Sequence, residues 1–467
     1  MIRGVISESS FLGLDYDERR IAVELVKRLN YKTNRNLLRR RYYDGHNALK
    51  DLGIAIPPPL KTVEVVVGWP AKAVDSMIDR TTLQGFISST GSSTMNAFLA
   101  DVWESNRLAV EIPSAHTSAL IHSCAFVFTS RGIIEQGEPE VLISAKSAED
   151  ASALWDARRR RVSAALSVDD RNCDSGEATL LHLYLEAMEG RPGRVLQMRR
   201  NAWGYMEAVE VATFSGPVPV EVLPYQPSLT RPFGKSRITR AVMYQTDAAM
   251  RTMLRTEVGA EFFNAPQRYA LGADEDAFTD ASGNPVPAWT VMLGRLLALS
   301  RDEDGELPQV GQFAQQSMQP NVEQLRSIAQ MFASEVSLDV GSLGIVQDNP
   351  SSAEAIRARH EELGVKIENW RTAVLSPTWK RVMGHAAAMV DGSASLAAEV
   401  SSISAQWGSW SAPSEVSQAQ ASLARVRAVP RLAETDVELE RMGYTPDDIT
   451  RIRADWARTP EAPPVAV

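Results

Sequence analysis

The chain has 467 residues, with 49 Lys+Arg against 58 Asp+Glu and a net charge of −9. That length exceeds one ordinary domain, and a 44% hydrophobic content can fill real cores. The acidic balance argues against a surface that grips nucleic acid by neutralising phosphates, although not against one past which nucleic acid slides. Cys124 and Cys173 lie far apart in unlike contexts, which excludes a disulfide framework or a thiolate zinc site. The first residues lack the continuous apolar core of a signal peptide, and no run approaches the ~20 apolar residues of a membrane span. A soluble protein made in cytoplasm is expected.

Residues 15–43 are helical in pattern, with Ile21, Leu25, Leu29, Leu37 and Leu38 recurring on one side. Arg39, Arg40 and Arg41 crowd its end beside Tyr42 and Tyr43. They either touch nucleic acid or form a basic last turn that satisfies the helix dipole. Pro57, Pro58 and Pro59 make a stiff spacer. Helices are predicted at 70–82 and 94–107, with a strand opening at Gln84-Gly85-Phe86. Residues 123–129 are a buried strand, and 141–143 and 179–188 add others. A helix is expected over 149–166, with its arginines at 158–161 on a solvated surface. Residues 192–230 hold several prolines between short alternating apolar runs, which suits strands and loops. The first 230 residues therefore form a mixed α+β unit.

Residues 233–265 contain no proline, between Pro232 and Pro266. A helix capped by Ser236 and running to Phe263 would be roughly 40 Å long. Arg237, Arg240, Tyr244, Asp247, Arg251 and Arg255 fall on one stripe of it, and small or apolar residues fill the other faces. Its charges oppose the dipole, with Lys235, Arg237 and Arg240 at the start and Glu257 and Glu261 at the end. Residues 264–318 are loop-rich, with acidic runs at 272–276 and 301–306 that lack the ligand spacing of a calcium loop. Asn321 with Gln324 resembles a capping box. From there Val322, Leu325, Ile328, Phe332 and Val336 keep helical spacing to Leu338. Residues 339–350, with two glycines and a proline, disfavour regular structure. Ser351 with Glu354 opens another helix, seamed by Ile356, Leu363, Ile367, Trp370 and Val374, and Pro377 is expected to stop it. Residues 391–413 carry few structural signals. Short helices follow over 414–456, broken at 443–446 with Thr445 as a cap, and the residues from Pro460 onward are expected to be disordered.

Catalytic motifs are absent. Gly234-Lys235-Ser236 is half of a phosphate-binding loop, but the glycine required five residues earlier is Leu229. The 6 histidines are scattered without a His-Glu-x-x-His pair, and neither a nucleophile elbow nor a dinucleotide glycine fingerprint occurs. No cofactor, metal site or enzyme activity is expected.

Arg-Pro-Phe-Gly-Lys-Ser-Arg-Ile at 231–238, the long helix, and Glu-Phe-Phe-Asn-Ala-Pro-Gln-Arg-Tyr at 261–269 resemble the stem and the start of the clip of tailed-phage portal proteins. The likeness is to the SPP1 portal-like family, of the type common among phages of actinobacteria. Asn-Pro-Ser-Ser-Ala-Glu-Ala-Ile at 349–356 also resembles that family's segment after the tunnel loop. The resemblance implies an α+β, mainly helical portal fold assembled as a ring. Its divisions would be a wing at 1–234, a stem helix at 235–263, a clip at 264–319 and a second stem helix at 320–338. A tunnel loop at 339–351, a long wing helix at 352–390 and a crown with the C-terminal tail at 391–467 would follow. It further implies a ring of about twelve copies at one capsid vertex of the virion, assembled in host cytoplasm, through which double-stranded DNA is packaged and ejected. Partners would be the terminase large subunit, a head-completion adaptor, and the major capsid and scaffolding proteins, with no membrane. Asp339, Leu343, Val346, Gln347 and Asp348 would face the DNA. Arg237, Arg240, Arg251 and Arg255 would either pair with the adjacent stem or face the DNA. The alternatives are another head–tail structural protein or a terminase-like nucleic-acid enzyme.

Overall fold

The computed structural model describes residues 7–48, 64–188, 190–263, 268–271, 309–312, 317–345, 353–390, 394–410, 415–444 and 446–458. They divide into two units, Met1–Gly408 and Ser409–Val467. The larger is built on a six-stranded sheet made of β1 (Phe11–Leu12), β5 (Ala151–Asp156), β6 (Arg161–Arg171), β7 (Ala178–Leu185), β8 (Gly193–Arg200) and β9 (Met206–Phe214). Its strand order is β1-β9-β8-β7-β6-β5, antiparallel except where β1 runs parallel to β9.

Alternation along the strands divides the core between the two faces of this sheet. On β7, Leu181, Leu183 and Leu185 point to one side and Tyr184 to the other, as the two-residue repeat of a strand requires. The leucine face packs on α1 (Tyr16–Tyr43) through Ala22, Leu25, Val26 and Leu29. Asp15 and Glu18 cap that helix reciprocally, each side chain accepting the other's backbone amide at 2.9 and 3.0 Å. The Tyr184 face packs on a smaller sheet of order β10-β3-β4: β3 is Cys124–Arg131, β4 Val141–Ser147 and β10 Val220–Pro224. The predicted helix over 149–166 is instead the β5–β6 hairpin. Val162, Ala164, Leu166 and Val168 alternate at a period of two, and Arg160, at φ +53°, turns the chain between the strands. The arginine run therefore sits at a hairpin tip, where Arg159 and Arg161 both bond Glu186.

Around these sheets lie α2 (Trp69–Ile78), α3 (Ser93–Ser105) and α4 (Leu108–His122). The last is a buried helix that the sequence did not announce, because Pro113 lies inside it and Arg107 precedes it at φ +50°. The two-stranded pair of β2 (Leu83–Ser88) with β13 (Ile403–Trp407) joins residues from opposite ends of the unit. α5 (Arg240–Phe263) leads to the antiparallel strands β11 (Arg268–Leu271) and β12 (Gln309–Gln312), after which α6 (Gln319–Val336) returns.

α7 (Ala353–Trp370) does not stop before Pro377. It passes through a π-helical segment, Arg371–Leu375, into α8 (Ser376–Met389). Proline lacks the amide that an unbroken α-helix would use, and the wider turn just before it accommodates that loss. The small unit holds α10 (Glu415–Ala428), α11 (Asp436–Arg441) and α12 (Pro446–Arg458), after the short α9 (Ala394–Glu399) of the larger one. Within the small unit Arg425 grips the buried Glu438 at 2.8 Å. Thr445, expected to cap α12, and the tail from Pro460 lie outside the described residues, as do Pro57 to Pro59 and the acidic runs at 272–276 and 301–306.

Candidate functional site

The segment that precedes α5 sets the geometry of the helix. Gly234 sits at φ +69°, and a Cβ there would lie 2.2 Å from the Tyr225 carbonyl oxygen, so only glycine fits. Its amide donates to Arg231 and that of Lys235 donates to Tyr225. Neither amide is left for a phosphate, which closes the phosphate-loop reading of Gly234-Lys235-Ser236. Ser236 caps nothing on α5. Its hydroxyl donates to the carbonyl of Ile121 at 2.6 Å and accepts from the Ile238 amide at 3.0 Å, tying this segment to the end of α4. The helix starts at Arg240, so of the three cations only Arg240 lies in its first turn, and those at 235 and 237 precede it.

Arg237 consequently leaves the predicted stripe. It is 5% exposed, and its guanidinium donates to the carbonyl of Ala73 (2.6 Å), the carbonyl of Val336 (2.7 Å) and the hydroxyl of Tyr225 (3.2 Å). One side chain thus joins α2, the end of α6 and Tyr225 just after β10. Tyr225 meets Trp370 edge-on at 5.4 Å, and Trp370 lies 5.5 Å from His116. His116 accepts from the indole N–H of the fully buried Trp379 at 3.0 Å. Burial, then the nearby Arg371 charge, pushes the His116 pKa down to about 3, so this imidazole stays neutral and acts as an acceptor.

Beyond this junction α5 and α6 pack on each other. Thr239 before α5 bonds Glu335 at the end of α6 (3.0 Å), so the two helices run antiparallel. Val242, Thr246, Ala249 and Met250 are buried on one side, and Ile328, Ala329, Phe332, Ala333 and Val336 on the other. Asn321 and Gln324 make no cap: α6 begins at Gln319 with Met318 before it and no side-chain cap bond. Of the predicted stripe, Asp247 turns inward and accepts from the Tyr42 hydroxyl at 2.8 Å. Burial, then that bond, holds the Tyr42 phenol well above its usual range. Arg240, Tyr244 and Arg255 are exposed and Arg251 is half-buried. No ion pair is described for Arg240, Arg251 or Arg255 among the described residues.

After α6 the chain turns at Ser337, φ +55°, into a short 3-10 turn, Val340–Leu343, closed by Gly344 at φ +81°. Asp339 accepts from the Gly341 amide at 2.9 Å, and Val340 is buried. Ser337 bonds Glu362 on α7 at 2.7 Å, and Lys366 joins the same cluster. The root of the loop is therefore fixed. Of its five candidate residues, Asp339 and Leu343 lie on this fixed part, and Val346, Gln347 and Asp348 fall outside the described residues.

Among the described residues there is no group of His, Cys, Asp or Glu able to hold a metal ion, and no helix long and apolar enough to cross a membrane. The family described as "Phage portal protein, SPP1 Gp6-like" matches residues 25–422. The portal protein of Mycobacterium phage L5 is 27% identical over 352 residues, covering 73% of this chain and 68% of the relative. That of Mycobacterium phage D29 is 28% identical over 351 residues, covering 73% and 69%. Among solved structures, a chain from the neck of an empty GTA particle aligns over 88% of this chain and 94% of its own, at 11% identity and a TM-score of 0.44. The chain belongs to the phage portal protein family, in its SPP1 Gp6-like branch.

Proposed function

We propose that copies of this chain close into a ring of about twelve at one capsid vertex, through which double-stranded DNA enters during packaging and leaves at infection. Phage portal proteins are structural components of the virion at that vertex rather than enzymes. ATP hydrolysis would belong to the terminase large subunit docked on the ring. A head-completion adaptor, the major capsid protein and scaffolding protein would be its other partners, and assembly would take place in host cytoplasm.

In this reading residues 1–234 and 352–390 form the wing, 235–263 and 320–338 the stem, 264–319 the clip, 339–351 the tunnel loop and 391–467 the crown and tail. The observation that carries it is the family match over 25–422, which spans the junction and both helices of the α5–α6 pair. The loop at 339–348 would lie nearest the DNA. An acidic protein with few phosphate grips holds DNA weakly and lets it slide. Arg240, Arg251 and Arg255 would meet carboxylates of the adjacent stem, because cations with no ion pair among the described residues can take one from the next copy.

Charge reversal at Arg251 tests this. Loss of rings in native mass spectrometry or negative-stain images supports pairing between subunits. Intact rings with altered packaging assign the arginine row to DNA instead. Deleting 341–348 should leave rings intact and impair packaging or genome retention, and normal packaging by that variant would remove the loop from the channel.

A further inference from the structure

One side of α1 carries Arg28, Lys32, Arg35 and Arg39 at spacings of four, three and four, which stack on a single helical face. That face looks onto a cavity of about 500 Å³, closed on its other side by Arg231 and Lys235 and floored by Phe233 and Phe126. Among the described residues no aspartate or glutamate lines it. Arg28 is balanced by Glu24 at 2.8 Å. Among the described residues Arg39 has only the carbonyl oxygen of His122, at 3.2 Å. Lys32, Arg35, Arg231 and Lys235 have no ion pair among the described residues. Like charges thus crowd a concave site in a chain whose overall charge is −9. Burial, followed by the charge of Arg35, depresses both Lys32 and Arg39, the latter to about 10.

We propose that this cavity is a binding site for a compact phosphate polyanion, either a free nucleoside polyphosphate or the phosphorylated end of a nucleic-acid strand. The volume suits a small ligand and excludes a double helix. Several exposed cations around one small space favour a ligand that brings several negative charges within a few ångströms. A chain of phosphates supplies these, whereas a peptide would have to bring as many separate carboxylates. Arginine forks bind phosphate oxygens in pairs, and the apolar floor accepts a base or sugar. Because the amides of Gly234 and Lys235 are already bonded within the chain, recognition here is by side chains and not by a phosphate-binding loop.

The test is titration calorimetry on the full-length protein at low and at physiological salt. Its probes are tripolyphosphate, ATP, and single-stranded oligonucleotides carrying a 5′-triphosphate or a 5′-hydroxyl. Saturable, salt-sensitive binding of tripolyphosphate is expected. The exposed-residue double variant Arg35→Ala/Arg231→Ala should weaken it at least about tenfold with no fall in melting temperature, since removing a repelled cation does not destabilise the fold. Arg35→Lys should keep most of the affinity. Binding of ATP alone or of the triphosphorylated strand as well each supports the site and identifies its source. Absence of saturable binding, equal binding by the double variant, or tighter binding of an oligo-aspartate peptide than of tripolyphosphate would overturn it.

Discussion

Arg237 and Arg255 are 18 residues apart, which would be about five turns of one helix, yet they occupy opposite environments. Arg237 lies just before α5, 5% exposed, with three internal acceptors holding α2, α6 and Tyr225 together. Arg255, on the helix itself, is exposed and has no described ion pair. A buried guanidinium whose hydrogen bonds are all directed at the fold belongs to the fold. An exposed one contributes little to the monomer and is available to something outside it. The junction is thus a built joint, and the helix pair beyond it presents a surface.

The sharpest test of that contrast is Arg237→Ala, which strands the Ala73 and Val336 carbonyls in a dry site. It should cost about 3 kcal/mol or more, seen as a large drop in melting temperature or insoluble expression. Melting near the wild-type temperature would show that Arg237 does not hold the junction together.

Next in size is acid. The pKa of His116 when folded is about 3 and lies below the ordinary 6.5, so the unfolded chain binds the extra proton between these values. Stability should be constant above pH 6.5 and fall as pH drops below it. At pH 5 the loss from this residue is about 2 kcal/mol. His116→Leu should flatten that part of a melting-temperature profile, and an unchanged slope would show that another group governs it. His122, pushed down to about 4 by burial and then by Arg39 and Arg40, adds in the same direction.

Tyr42→Phe removes only the bond to Asp247 and should cost about 1 kcal/mol in denaturant unfolding. Smallest is Arg255→Ala, expected within about 0.5 kcal/mol of wild type as a monomer. A larger loss would mean that the helix surface is internally bonded after all.

Much of the architecture was legible because period and punctuation agree. α1, β3, β7, α5 and α6 all fall where apolar spacing puts them. The failures share a physical cause, which is that a local pattern was decided by distant contacts. Residues 151–171 carry alanines compatible with either helix or strand, and sheet pairing to β7 selects strand. Pro377 reads as a stop, but the π segment before it lets the helix continue. Residues 391–413 gave no signal for β13, whose partner is more than 300 residues away. Ser236 looks like a helix cap because serine commonly is one, and nothing local reveals that its hydroxyl serves the end of α4. The arginine row was legible as far as Arg240, Arg251 and Arg255. Arg237 was not, because helical phase assumes a helix that starts three residues later. The basic face of α1 is present in the spacing of residues 28, 32, 35 and 39, but only the fold shows that segment 231–235 closes a cavity against it.

The pairing of β2 with β13 also governs when the larger unit can finish folding. Among the described residues β2 has no other sheet neighbour, and Ser88 bonds Ser402, 314 residues further along the chain, at 2.9 Å. On the ribosome, therefore, the strand at 83–88 must wait for nearly the entire polypeptide to emerge, and the loop to be closed is about as long as the unit itself. The β2–β13 edge, and any surface that depends on it, is therefore completed only after residue 407 has been made.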